Sequence, residues 1–456
     1  MSYFSHRAAR TVSITLLAPS QYKAWLAKQP PHVKQWAKSN HFAARPETVM
    51  IVPDTSGALA CVLLVSDAAP HIWSLAALPA MLPPGSYSIE GKYSTAQLAD
   101  MALGFALAQY QFDRYRKVER KDLTLVLPKS VDLAAIERRA SAIILVRDLI
   151  NTAPQDMRPT ELAAAAQRIA KAHGASFEQV VGDALLKKNF PAIHAVGRAG
   201  PDAPRFIRLR WGNPKHKRVA LVGKGVTFDT GGLDLKPLAA MRLMKKDMGG
   251  AALVLGLAQL IMQEKLPIHL DVLIPAVENS IDGHAFRPSD VVATRKGLTI
   301  EIGSTDAEGR VILADALAEA DAAKPDLLID VATLTGAART ALGTELPALY
   351  AKRNATARGL VDAGMAVRDP LWHMPLWQGY AKYVNSNVAD IANSPNYAFA
   401  GSITAALFLE RFVSPDMDWV HIDSYAWNAE AQPGRPIGGE ALCLRAIMAY
   451  LQKRYA

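Results

Sequence analysis

Leu298-Thr299-Ile300-Glu301-Ile302-Gly303-Ser304-Thr305-Asp306-Ala307-Glu308-Gly309-Arg310-Val311-Ile312-Leu313-Ala314-Asp315-Ala316-Leu317 reads as a strand, a break and the opening of a helix. The alternation over residues 298–302 is strand-like, Gly303 interrupts it, and residues 311–317 supply the first turns of a buried helix. Asp306, Glu308 and Arg310 therefore stand where a strand hands over to a helix, the usual ligand edge of an open α/β sheet. Acids at alternate positions suit a metal, and an arginine at a helix N-terminus suits an anion. The plain alternative is a capped helix start carrying a surface acid pair.

A second segment works against that plain alternative. Residues 218–223 form an apolar strand pattern that runs into Lys224-Gly225-Val226-Thr227-Phe228-Asp229-Thr230-Gly231-Gly232, with Lys236 just beyond. Its glycines suit a tight turn and close approach to a ligand. The spacing does not fit a phosphate loop, because no Ser or Thr follows Lys224. Met244-Lys245-Lys246-Asp247-Met248-Gly249-Gly250 then opens a long apolar helix running to about Leu260. Asp229, Asp247, Asp306 and Glu308 converging on one cleft could not all stay ionised unaided. Two divalent cations roughly 3.5–4 Å apart would resolve that repulsion, and such pairs serve hydrolysis. The eleven histidines are scattered with no H-E-x-x-H, and cysteines are not paired in motifs, so a single-zinc site is not supported.

The rest of the chain predicts an α/β protein. Strand patterns at 206–210, 219–222, 268–276, 298–302 and 327–331 alternate with helical ones, which calls for a mainly parallel sheet flanked by helices. Residues 1–135 read as a smaller mixed α/β domain with strands at 12–17, 48–52, 59–65 and 123–127, a helix at 95–110 and a loop at 79–84. A helix at 132–150 links it to a larger domain, residues 136–456. At 456 residues and 50% hydrophobic content the chain can build two cores. No apolar run is long enough to span a membrane, and the N-terminus, Met1 to Arg7, lacks the pattern of a secretory leader. Cys61 and Cys443 read as separate thiols, which suits the cytoplasm. The net charge of +9 gathers at 114–121 and 215–218. The first cluster reads as a solvated interdomain helix and the second as a loop tip. Nucleic acid stays open as the lesser reading, since net charge speaks first to solubility.

Lys224 and Asp229 in GKGVTFDTGG, Lys236, Asp247 in KKDMGGA, and Asp306, Glu308 and Arg310 in STDAEGR resemble, in order and spacing, the leucyl (cytosol) aminopeptidase family of two-metal exopeptidases, the M17 type. The resemblance covers roughly residues 137–456, including Asn151-Thr152-Ala153-Pro154 and Thr333-Leu334-Thr335-Gly336. It implies an N-terminal α/β domain with a structural role and a catalytic C-terminal domain. It implies an enzyme that releases apolar, Leu- or Met-like N-terminal residues from short peptides by two-metal-activated hydroxide attack. Lys224, Asp229, Asp247, Asp306 and Glu308 would hold two ions, Zn2+ or Mn2+, with Mg2+ or Co2+ also admitted. Lys236 would stabilise the oxyanion, and Arg310 would hold a bicarbonate that shuttles the proton. Met244, Thr333 and Gly336 would surround the first side-chain pocket, where an acidic side chain would find no partner, and the Leu334 carbonyl would accept from the substrate. A homohexamer of two stacked trimers is implied as well.

Two departures touch the surroundings of the ligands: Ser304 stands where the family usually has Asn, and Thr230 where Ser is common. The loop 432–439 also differs from the family's glycine-rich ending, so we expect it to shape specificity. Several chemically inviting residues read as structural. These are His421 and Asp423, Asp282 and His284, the helix acid Asp315, the small residues at 402–406, and Trp372 and Trp377 as packing anchors in an extended loop, with a subunit contact as their other reading. Hydrolysis of a phosphoester and a non-catalytic binding protein are the competing readings.

Overall fold

The computed structural model describes residues 3–66 and 69–456. Met1 and Ser2, which begin the stretch read for a leader, lie outside the described residues. The chain forms two compact units, one of residues up to Ser141 with 430–436, the other of 142–429 with 437–456.

The first unit is built on a six-stranded sheet in the order Phe4–Ser5, Leu123–Val126, Gly85–Glu90, Val12–Leu17, Leu59–Val65, Val49–Pro53, parallel except for the last pair. Helix Thr95–Leu107 starts at a reciprocal cap, in which the Ser94 hydroxyl accepts from Gln97 N–H and the Gln97 amide accepts from Ser94 N–H. It buries Leu98, Met101 and Phe105 and ends before the expected Tyr110. Gly85–Glu90 escaped sequence reading because it is mostly polar and only Tyr87 is buried. Two expectations fail in this unit. The proline-rich loop holds a short helix, Leu78–Met81, because Pro79 lies in its first turn where a missing N–H costs nothing. Residues 114–121 are not helical, since no apolar repeat pins them and Arg120 turns back to Asp113 at 2.6 Å.

The second unit centres on a nine-stranded sheet. Its middle runs Trp419–Asp423, Leu327–Ala332, Lys217–Gly223, Ile268–Asn279, all parallel. Antiparallel strands Ala348–Ala351 and Arg205–Trp211 flank it. Leu327–Ala332 is buried at every position, as a central strand covered on both faces must be. Ala220 and Val222 face the core cluster that includes Val311, Ile312 and Leu317 of helix Glu308–Ala322. Helix Gly249–Gln263 lies against the other face, so close that a Cβ on Gly250 would stand 2.1 Å from the Val331 carbonyl oxygen. Only glycine admits that approach.

The opening stretch of the sequence is placed differently from expectation. Thr299–Glu301 belongs to a separate three-stranded sheet, antiparallel to Val291–Ala293 and parallel to Ile391–Ala392, and not to the central sheet. The reason lies in its own pattern, since only Ile300 is buried and alternation marks a strand covered on one face. Gly225–Asp229, read as part of a glycine turn, is a strand pairing with Ile268–Asn279 through a register shift.

Asp315 is fully buried and accepts from Ala192 N–H at 2.8 Å, Ile193 N–H at 3.2 Å and Arg295 N–H at 2.7 Å, so it acts as a structural clamp. His421 stacks between Tyr350 and Trp419, and Asp330 receives both His421 Nδ1 at 2.5 Å and Trp419 Nε1 at 2.7 Å. Ser402 is buried and accepts from the Tyr350 hydroxyl at 2.7 Å. Asp282 accepts from His284 N–H within an exposed turn. Trp372 and Trp377 are 55% and 60% exposed, so they do not anchor packing within the chain. Trp372 pairs its backbone with Ala348 and leaves its indole outside, and Trp377 caps the 3-10 helix Gln378–Val384.

Candidate active site

The site gathers at the carboxyl ends of the parallel strands. Lys224 follows Lys217–Gly223, Asp229 ends Gly225–Asp229, and Thr333 follows Leu327–Ala332. Asp247 sits in the 3-10 turn Met244–Met248, where Met244 and Asp247 share one face because residues three apart eclipse. Asp306 and Glu308 come from the turn Thr305–Ala307 and the start of the helix after it. All five expected ligands, with Lys236, Met244, Thr333, Leu334 and Gly336, line one cleft of about 280 Å3.

Lys224 Nζ lies 2.7 Å from Asp247, 2.9 Å from Glu308 and 3.0 Å from the Thr333 carbonyl. Its passage depends on Gly309, where a Cβ would stand 2.5 Å from Lys224 Cε. Lys236 Nζ reaches Asp229 at 2.8 Å and also pairs with Asp306. Burial alone would lower the pKa of both lysines, but the facing carboxylates outweigh it and raise them. Burial, with Glu308 and Asp247 beside it, pushes Asp229 up to about 7, and burial with Asp229 pushes Asp306 up to about 6. Burial raises Asp247 too, whereas Lys224 and Lys236 overcome burial at Glu308 and hold it low.

Divalent ions fit this donor set. Carboxylate oxygens of Asp229, Asp306 and Glu308 lie within 4.8 Å of one another, and Glu308 Oε2 is buried with no hydrogen-bond partner. An orphaned buried carboxylate oxygen is costly and suits a cation. Arg310 is buried, donates to the Asn393 carbonyl at 2.7 Å and leaves Nε unpartnered. Burial lowers its pKa to about 10.

Several positioning roles were not read from the sequence. Asn279 Nδ2 donates to Asp229 at 2.8 Å and to the Thr305 carbonyl at 3.0 Å, and so ties the two acidic motifs together. Asn393 Oδ1 accepts from Gly303 N–H at 2.8 Å, and its Nδ2 donates to the Ser304 carbonyl at 2.7 Å. The Thr333 hydroxyl donates to Asp247 at 2.8 Å. Asp423 accepts from Leu334 N–H at 2.9 Å and from the Thr335 hydroxyl at 2.6 Å. One signal for Asn279 was available, since it closes a long apolar strand at the sheet's ligand edge. The expectation for the loop 432–439 shifts: among the described residues, the cleft is lined by Ser424 and Tyr425, while Gly438–Gly439 pairs with Trp427–Asn428.

An α/β sheet gathering carboxylates and lysines at its carboxyl edge is a setting that suits a metal-dependent hydrolase. Comparison with known proteins agrees. Residues 144–448 match the catalytic domain of the cytosol aminopeptidase family, and residues 12–128 match the M17 aminopeptidase N-terminal domain. A probable cytosol aminopeptidase of Syntrophotalea carbinolica is 41% identical over 369 residues, 77% of this chain and 74% of the relative. The crystal structure of a cytosol aminopeptidase from Coxiella burnetii superposes with a TM-score of 0.97 at 46% identity, covering 100% of both chains. The bottromycin maturation enzyme BotP in complex with Mn superposes at 0.88 and 30% identity, over 98% of this chain and 100% of BotP. This chain belongs to the cytosol aminopeptidase family and is a leucyl aminopeptidase-type, metal-dependent hydrolase.

Proposed function

We propose that this chain removes N-terminal residues, Leu- and Met-like ones foremost, from short peptides with a free amine by a two-metal mechanism. The observation carrying it is the convergence of Lys224, Asp229, Asp247, Asp306 and Glu308 in one cleft beside Lys236. Asp229 and Glu308 would face both ions, with Lys224 and Asp247 completing one and Asp306 the other. Zn2+ or Mn2+, with Mg2+ or Co2+ also admitted by such hard donors, would supply a hydrolytic nucleophile at neutral pH and anchor the substrate amine. Lys236, a cation at the cleft, stabilises the developing oxyanion. The buried Arg310 would hold a bicarbonate able to take part in proton transfer, a role that its unpartnered Nε supports. Met244, Thr333 and Gly336 wall the first side-chain pocket, and the Leu334 carbonyl accepts from the substrate. Methionine is apolar and adaptable, so the wall suits several unbranched or γ-branched side chains.

We further propose that residues 136–456 carry the catalysis and residues 1–135 a structural role. Cytoplasmic location is supported by two free cysteines and by relatives named cytosol aminopeptidases. No helix among the described residues is long and apolar enough to cross a membrane, and we assign no nucleic-acid partner. The test is turnover of Leu anilide with added Mn2+ or Zn2+, beside acetyl-Leu anilide and a phosphoester. We expect Leu anilide alone to be cleaved, chelation to stop it, and Asp229→Ala or Glu308→Ala to lose bound metal and activity together. Full activity in chelator with no divalent ion on metal analysis would overturn the reading.

A further inference from the structure

Two cations in the cleft, Lys246 and Arg339, are left over once the expected roles are filled. Lys246 is only 5% exposed and lines the cleft, and its ammonium makes no hydrogen bond or ion pair among the described residues. Its neighbouring acids are already engaged: Asp247 with Lys224 and the Thr333 hydroxyl, and Asp423 with the Leu334 and Thr335 N–H groups and the Thr335 hydroxyl. Asp247 and Asp423 offset only part of the cost of removing this ammonium from water, so a carboxylate arriving in the cleft would be a favourable partner for it. Lys246 Nζ sits 4.6 Å from the centre of the Tyr425 ring, and the Arg339 guanidinium lies 5.4 Å from the same ring. That aromatic fixes both cations by their attraction to its face. The Arg339 guanidinium lies within van der Waals reach of Gly336, 3.9 Å from where a Cβ would stand. Lys246, Arg339 and Tyr425 line the same cleft as Met244, Thr333 and Gly336.

We propose that Lys246, backed by Arg339 at the rim, is a carboxylate-binding subsite at the end of the first side-chain pocket, so that the enzyme also releases N-terminal glutamate. The proposal rests on the aminopeptidase reading and on Met244, Thr333 and Gly336 forming that pocket. Glutamate and methionine side chains have similar length. The glutamate methylenes can therefore run along the Met244 wall while its carboxylate meets Lys246. On this assignment an acidic side chain would find a partner there, against the expectation from the sequence.

The test compares Glu and Gln anilides, which differ only in charge at the side-chain end, on the metal-loaded enzyme. We expect wild type to turn over Glu at least as well as Gln. Lys246→Met should lower the Glu:Gln ratio of kcat/KM about tenfold or more, Lys246→Arg should preserve it, and Arg339→Ala should lower it less. Taking the ratio within one preparation cancels differences in folding and metal content. Calorimetric binding of free glutamate against glutamine reads the same preference without turnover. A chain that bound glutamate through Lys246 yet cleaved no anilide would overturn the aminopeptidase reading and leave the subsite standing. Equal handling of Glu and Gln by wild type, or a ratio unmoved by Lys246→Met, overturns the subsite. So does a Lys246→Met effect confined to Leu-Gly against Leu-Gly amide, because the bound carboxylate would then be the peptide's terminus.

Discussion

Lys236 is tied to the cleft by carboxylates that belong to both acidic motifs, Asp229 and Asp306, and this fixes its head without sealing it. Such a group stabilises developing negative charge without having to reorganise, and removing one oxyanion donor typically costs about 10²–10³ in kcat. Lys236→Ala should therefore lower kcat by about that factor while metal content, read by atomic absorption, stays at the wild-type level. Unchanged kcat would remove Lys236 from the chemistry. At this level the sequence was highly legible, since Lys224, Asp229, Asp247, Asp306 and Glu308 all reach one cleft. Asn279 and Asn393 were not legible, because asparagines are common at strand ends and in loops. Their partners lie 50 and 89 residues away, at Asp229 and Ser304. Lys246 was hidden for another reason: beside Lys245 and Asp247 it looks like part of a solvated charge run.

Helix Glu308–Ala322 carries its own fastening, the Asp315 carboxylate that gathers N–H groups from Pro191–Gly197 and from Arg295. Asp315→Ala should strand three buried donors and cost about 2–5 kcal/mol in urea unfolding. A change within about 0.5 kcal/mol would show that water replaces the carboxylate. Strand Trp419–Asp423 has a comparable fastening at His421. Burial would lower the pKa of that ring, but Asp330 outweighs it and raises it. A histidine whose pKa rises on folding gives its full stabilisation below the unfolded value of about 6.5 and loses it as pH climbs through the native value. We expect the melting temperature to fall from pH 6.5 upward, with a shallower fall in His421→Gln, and parallel profiles would contradict this. Elements with continuous apolar runs, such as Leu327–Ala332, were readable because burial on both faces leaves no alternative. Thr299–Glu301 was assigned to the wrong sheet because a short alternating run specifies a covered face but not its neighbours.

The second unit exposes Trp372, Trp377 and Phe399, the last 71% exposed, and large aromatics left in water mark association surfaces more often than accidents. We propose that the chain assembles into a homohexamer of two stacked trimers. Light scattering should then give roughly six times the chain mass of 49.3 kDa, and a monomer at working concentration would contradict it. The central strands also carry a consequence for how such an enzyme changes over time. Lys217–Gly223, Leu327–Ala332 and Trp419–Asp423 run parallel, so the segments leaving their carboxyl ends open on one edge while the buried runs hold the sheet. Tyr425 and Arg339 leave from two of those ends, whereas the carboxylates proposed as ligands come from other segments. Natural selection can therefore rewrite the rim of the cleft at Tyr425 and Arg339, provided that Thr333 on the same exit stays, because its carbonyl and hydroxyl hold Lys224 and Asp247.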